Sequence, residues 1–206
     1  MINLHDIRYV RLATRSVTGA VVVMVAHGFL AALTFGLSGT LRAQTGTLEI
    51  EKLGGLLRQI PFLGAALVMA MLAGCGLPGF ANFVGEAMVL FGSWRVFPLV
   101  TTLAAWGALI IGAVYMLRAV RNILHGPEKS EWAALKDASA WAELPFVLLL
   151  AALLLLGVWP RLLTDKIQPS VAPIIAMAEA KTVDKSRPVD VKKAAGDAKH
   201  RSAQPH

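Results

Sequence analysis

One cysteine stands in 206 residues, so a disulfide framework, a zinc ribbon and a thiolate-held cluster are all excluded. Charge is also scarce: 16% of residues are Asp, Glu, Lys or Arg, against about 25% in a soluble domain. Acids are the scarcer sign, 13 against 20 Lys/Arg, which leaves a formal charge of +7. That surplus does not mark a nucleic-acid face, because residues 181–206 alone hold seven Lys/Arg against three Asp. What remains is apolar: 56% of the chain is hydrophobic and the mean hydropathy is +0.60.

The apolar residues fall in long uncharged runs. Ser16–Leu41 holds 26 residues without a charge, Gln59–Gly85 27, Val96–Leu117 22 and Leu144–Pro160 17. A helix needs roughly 20 apolar residues to cross a hydrocarbon layer about 30 Å thick. The first run is too long for the apolar core of a cleavable signal, which measures about 7–15 residues. The pattern predicts an all-α membrane protein with four transmembrane passages, at 17–41, 59–94, 97–124 and 144–161. The second is predicted to be a broken helix, interrupted at 77–79, because Pro78 removes a backbone donor and Gly79 loosens the chain. Such a break is tolerated in lipid only beside protein or water, so this passage is expected to face inward.

The remaining segments are a short N-terminal piece at 1–16, a membrane domain at 17–163, an amphipathic helix at 164–180 and a disordered basic tail at 181–206. Trp94, Trp141 and Trp159 lie near span ends, as interfacial anchors do. Loops 42–58 and 125–143 are expected on the cytoplasmic side from their Lys/Arg content. Small residues at spacing four mark candidate contact faces: Gly28, Ala32 and Gly36; Ala66, Ala70 and Gly74; Ala104, Ala108 and Gly112.

Polar residues within the runs are the functional candidates. His27, Thr34 and Ser38 share one face of the first span; Asn82, Glu86 and Ser93 share one face of the second. Glu86 is the leading one, since an ionisable residue within a membrane span is costly and by default functional. A carboxyl drawn out of water disfavours its charged form, which suits a group that takes up and releases protons. The alternative is an interfacial glutamate at the end of a short helix. His27 is equally deep, and a neutral imidazole both donates and accepts, so it can relay a proton; it can also serve only in packing. A haem held by His27 and His125 is disfavoured, because the two lie at different depths.

The run Leu77-Pro78-Gly79-Phe80-Ala81-Asn82-Phe83-Val84-Gly85-Glu86, with Ala26-His27-Gly28-Phe29 upstream, resembles the chain M (chain 4) family of proton-translocating NADH:quinone oxidoreductase, respiratory complex I. Related chains L and N, and most antiporter subunits of the superfamily, are expected to carry Lys where Glu86 stands. The resemblance covers residues 17 to about 163 and corresponds to the second of two inverted half-repeats, each with a broken helix. It implies proton transfer by Glu86 and His27, a helix break at Pro78 and Gly79, and supporting polar roles for Asn82, Thr34 and Ser38. It implies no cofactor and no metal in this chain.

The implied partners are other membrane subunits of a complex I-like assembly in a bilayer, taken as the bacterial inner membrane. A separate chain is expected to supply the first repeat, making this one piece of a split or truncated chain M. The alternatives are a cation/proton antiporter subunit of the same superfamily and a non-pumping structural remnant.

Overall fold

A computed structural model describes residues 4–127 and 129–186, and within these every regular element is helical. The helices are α1 (Leu4–Thr45), α2 (Pro61–Gly74), α3 (Ala81–Trp94), α4 (Pro98–Trp106), α5 (Gly112–Leu124), α6 (Ala140–Val158) and α7 (Arg161–Ser186). A π-turn at Gly107–Ile111 joins α4 to α5 in one rod. Among the described residues, three stretches are long and apolar enough to cross a membrane: Val10–Thr45, Pro98–Leu124 and Ala140–Val158.

Helix α1 is the spine. Its 42 residues start well before the expected span, because neither Pro nor Gly interrupts residues 4–18. Thr14 and Thr18 bond back to the carbonyls of Val10 and Thr14 at 2.8 and 2.7 Å, which removes their polarity from the helix surface. Ala26, Leu30, Leu33, Leu37 and Leu41, spaced three and four apart, form its buried row.

Helices α2 and α3 follow one another along this spine, antiparallel to it. Leu63, Gly64 and Leu67 of α2 meet Leu37 and Leu41, while Gly74 at its far end lies against Leu30. Gly85 of α3 meets Gly19 and Val23, and Gly92 meets Ser16 and the Leu12 carbonyl. The α1–α3 contact is backbone against backbone: a methyl group at Gly85 would stand 2.8 Å from the Gly19 oxygen and 2.9 Å from the Val23 nitrogen. Small residues allow that approach, which long side chains would prevent.

The rod α4–α5 returns to the other end, where Met116 reaches Gly74 and Leu124 reaches Gly64. Most of its large side chains are exposed, including Leu99, Leu103, Trp106, Ile111, Val114 and Tyr115. Phe146 of α6 covers Gly36. Helix α7 runs past both Pro169 and Pro173 to Ser186, further than the expected 164–180 and into the segment expected to be disordered from 181. Thr164, Ile167, Val171 and Ile175 give it one inward face, packed on α1, and that tertiary contact offsets the donors lost at the prolines. Residues 187–206 of the expected tail lie outside the described residues.

The two loops at the Thr45 end are tied together. Asp137 accepts bonds from the Phe62 and Leu63 amides, capping the first turn of α2 from 75 residues away, where Ile60 offers no side-chain cap. Lys129 Nζ donates to the Lys52 carbonyl at 2.7 Å, Gly55 N to the His125 carbonyl at 3.2 Å, and Gln44 Nε2 to the Lys136 carbonyl at 3.2 Å.

Candidate functional site

The interruption between α2 and α3 spans residues 75–80, wider than the 77–79 expected from Pro and Gly alone. It begins as a Schellman motif. Leu77 N donates to the Leu72 carbonyl and Gly76 N to the Ala73 carbonyl, both at 3.2 Å, around Gly76 at φ 68°. Gly76 supplies the left-handed turn that a side-chain-bearing residue adopts only at a cost, and Pro78 then prevents resumption of the helix. Gly79, at φ 109°, completes the reversal into α3.

Glu86 sits in the second turn of α3, half-buried, and its side chain turns back across the interruption. Its Oε2 lies on Gly76, where an added Cβ would stand 2.5 Å from that oxygen. Cys75 is close enough to interact electrostatically with the same carboxyl. The carboxyl thus rests at the C-terminal, negative end of the α2 dipole. Among the described residues, none forms a hydrogen bond or ion pair with it. Asn82, one turn earlier on the same helix, is 4% exposed, and its Oδ1 is buried with no partner. Two oxygen acceptors therefore stand one turn apart beside an interrupted backbone.

Helix α6 closes one side of the break. A Cβ on Gly157 would collide with the Gly79 carbonyl and the Phe80 backbone, so α6 lies directly on residues 79–80. Neither Gly157 nor Gly76 is among the residues expected from the sequence to shape the break. Gly76 was legible as a helix-stop signal, a glycine two residues before Pro78; Gly157 had no comparable signal.

The other candidates lie elsewhere. His27 is exposed on α1, next to buried Ala26 but rotated out of the buried row. Thr34, half-buried on the same stripe, donates to its own helix at the Leu30 and Ala31 carbonyls, 2.9 and 3.2 Å away. Ser38 is half-buried beside it. Among the described residues no hydrogen bond links this stripe to Glu86 or Asn82. No group of three His, Cys, Asp or Glu side chains that could hold a metal occurs among the described residues.

An integral membrane protein of helices, organised around an interrupted helix that carries an acidic residue, is the class these features define. The match of residues 9–112 to the family described as NADH:quinone oxidoreductase/Mrp antiporter, TM, goes further: the chain belongs to that family. Among its relatives, NADH-quinone oxidoreductase subunit M of Pseudomonas aeruginosa is 41% identical over 149 residues, covering 71% of this chain and 28% of that protein. Subunit M of Escherichia coli K12 is 37% identical over 158 residues, 76% of this chain and 31% of that one. The solved respiratory complex I from Thermus thermophilus with bound NADH contains a chain that superposes with a TM-score of 0.71 at 33% identity, over 81% of this chain and 34% of that chain. A chain of the Mrp complex from Dietzia sp. gives 0.66 at 16% identity, over 75% and 37%, a likeness of fold alone. The present chain therefore spans about a third of the length of the proteins it resembles.

Proposed function

We propose that this chain is a membrane subunit of a proton-translocating NADH:quinone oxidoreductase, and that Glu86 takes up and releases the proton it helps to move. The observation that carries the reading is the Glu86 carboxyl lying across the helix interruption on Gly76. Taking up a proton there relieves repulsion with the carbonyl end of α2, and the interruption supplies polar backbone to bring water alongside. Asn82 offers its unpartnered Oδ1 as an acceptor for that water. In this reading α2 and α3 together form one interrupted crossing, the second of four.

His27, exposed on α1, relays protons to or from a neighbouring subunit, and the half-buried Thr34 and Ser38 on the same stripe support it. Pro78 and Gly79 hold the break. This chain contributes no redox centre and holds no cofactor. Its partners are the other membrane subunits and the residues of a first repeat, in a bacterial inner membrane. The family also includes Mrp antiporter chains, so the second reading is a cation/proton antiporter subunit.

Glu86→Gln keeps the shape of the side chain and removes the exchangeable acid. In membranes containing the assembled complex, proton translocation per NADH oxidised is expected to fall several-fold while the complex still purifies intact. Unchanged translocation in a complex shown to contain this chain overturns the role of Glu86. Full translocation with Glu86 and His27 both neutralised makes the chain a structural element. Co-purification separates the two enzymatic readings: NADH-oxidising peripheral subunits support the first, and antiporter chains alone the second.

A further inference from the structure

At the end of the α1–α3 pair remote from the two tied loops, a cavity of about 270 Å³ is lined by Arg11, Leu12, Arg15 and Arg95. Three of its four lining residues are arginines, and no acid lines it. Among the described residues none of the three forms a hydrogen bond or an ion pair. Their convergence is built into the fold. Arg11 and Arg15 are four apart and share one face of α1, while the close contact of Gly92 with Ser16 and the Leu12 carbonyl brings the end of α3, and with it Arg95, onto that face. Like charges so arranged repel one another, and an anion between them removes the repulsion.

The position selects the anion. Arg15 immediately precedes the uncharged run Ser16–Leu41, and Arg95 immediately follows α3, so both lie where the apolar segments end. Trp94 and Phe97, 51% and 61% exposed, flank Arg95 as aromatic residues do at a membrane–water boundary. Guanidinium groups pair with phosphate through two parallel N–H···O bonds, a geometry lysine does not offer. We propose that Arg11, Arg15 and Arg95 form a binding site for the phosphate of an anionic phospholipid headgroup, which fastens α1 to α3 at the bilayer surface. The site is separate from Glu86 and stands whether or not Glu86 moves protons.

The test uses the full chain in nanodiscs of phosphatidylcholine containing a minor fraction of phosphatidylglycerol, with bound lipid read by native mass spectrometry. Near a charged membrane surface each basic residue contributes roughly 5-fold in affinity, so the triple variant R11Q/R15Q/R95Q is expected to retain phosphatidylglycerol about 100-fold more weakly. Arg121→Gln, at the other end of the molecule, and Glu86→Gln are expected to retain it as the unsubstituted chain does. Should the triple variant not fold, Arg95→Gln in the exposed turn after α3 gives the same reading with roughly a 5-fold loss. Equal retention by the unsubstituted and arginine-depleted chains overturns the site. Displacement of the lipid by millimolar inorganic phosphate assigns the cavity to the free anion and overturns the lipid. Loss of an acidic partner protein from the arginine-depleted complex, with lipid retention unchanged, makes the cluster a protein contact and also overturns it.

Discussion

Helices α3 and α4–α5 leave the same turn at residues 95–97 yet meet their surroundings in opposite ways. Helix α3 lies backbone to backbone on α1 through Gly19, Gly85 and Gly92. The α4–α5 rod carries its own row of Ala104, Ala108 and Gly112, and nothing approaches within 4 Å of where a Cβ on Gly112 would be. Small residues thus permit close packing without specifying it; the opposing helix must also present a small residue at the same height. The difference has a functional side. Glu86 directly follows Gly85, the residue pressed backbone to backbone on α1, whereas the α4–α5 rod keeps an open face toward lipid or other chains.

Substitutions at matched glycines break this comparison most sharply. Gly85→Leu drives a branched side chain into the Gly19 carbonyl and the Val23 amide, and a loss of about 3 kcal/mol is expected in reversible unfolding in detergent. A loss as small as that at Gly112 would show the α1–α3 contact to be incidental. Asp137→Ala removes the cap that the loop lends to α2, and about 1 kcal/mol is expected, with faster amide exchange at Phe62 and Leu63. Exchange unchanged there would mean that the α2 terminus is held by other groups. Gly112→Leu adds bulk to an open face and is expected to shift stability by about 0.5 kcal/mol or less.

Much of this architecture was legible in the sequence, and the remainder was not for identifiable reasons. The long runs without charge located the apolar segments, since lipid tolerates few charges. Leu77-Pro78-Gly79 located the interruption, although its first half was set by Gly76, a helix-stop glycine whose two Schellman bonds emerge only on folding. Of the three expected rows, Ala66, Ala70 and Gly74 pack inward while Gly112 meets nothing. The α1–α3 contact uses Gly19, Gly85 and Gly92, which belong to none of them; spacing alone does not say which row finds a partner. Helix α7 passed through two prolines because α1 packs along it, a tertiary effect that local propensity omits. For the candidate site, the sequence singled out Glu86 and Asn82 as polar residues on one helix face, and the structure adds where the carboxyl turns. His27, equally deep by count, points out of the buried row, a matter of helical phase rather than of depth.

The central claim is that the Glu86 carboxyl gains and loses a proton at the helix interruption. Infrared difference spectroscopy between the reduced and oxidised complex reports protonated carboxyl groups directly through their C=O stretch. A carboxyl band that shifts in D2O and is absent in Glu86→Gln is the result expected. An identical difference spectrum in the unsubstituted and Glu86→Gln complexes would contradict it, because the acid would then hold one protonation state throughout turnover.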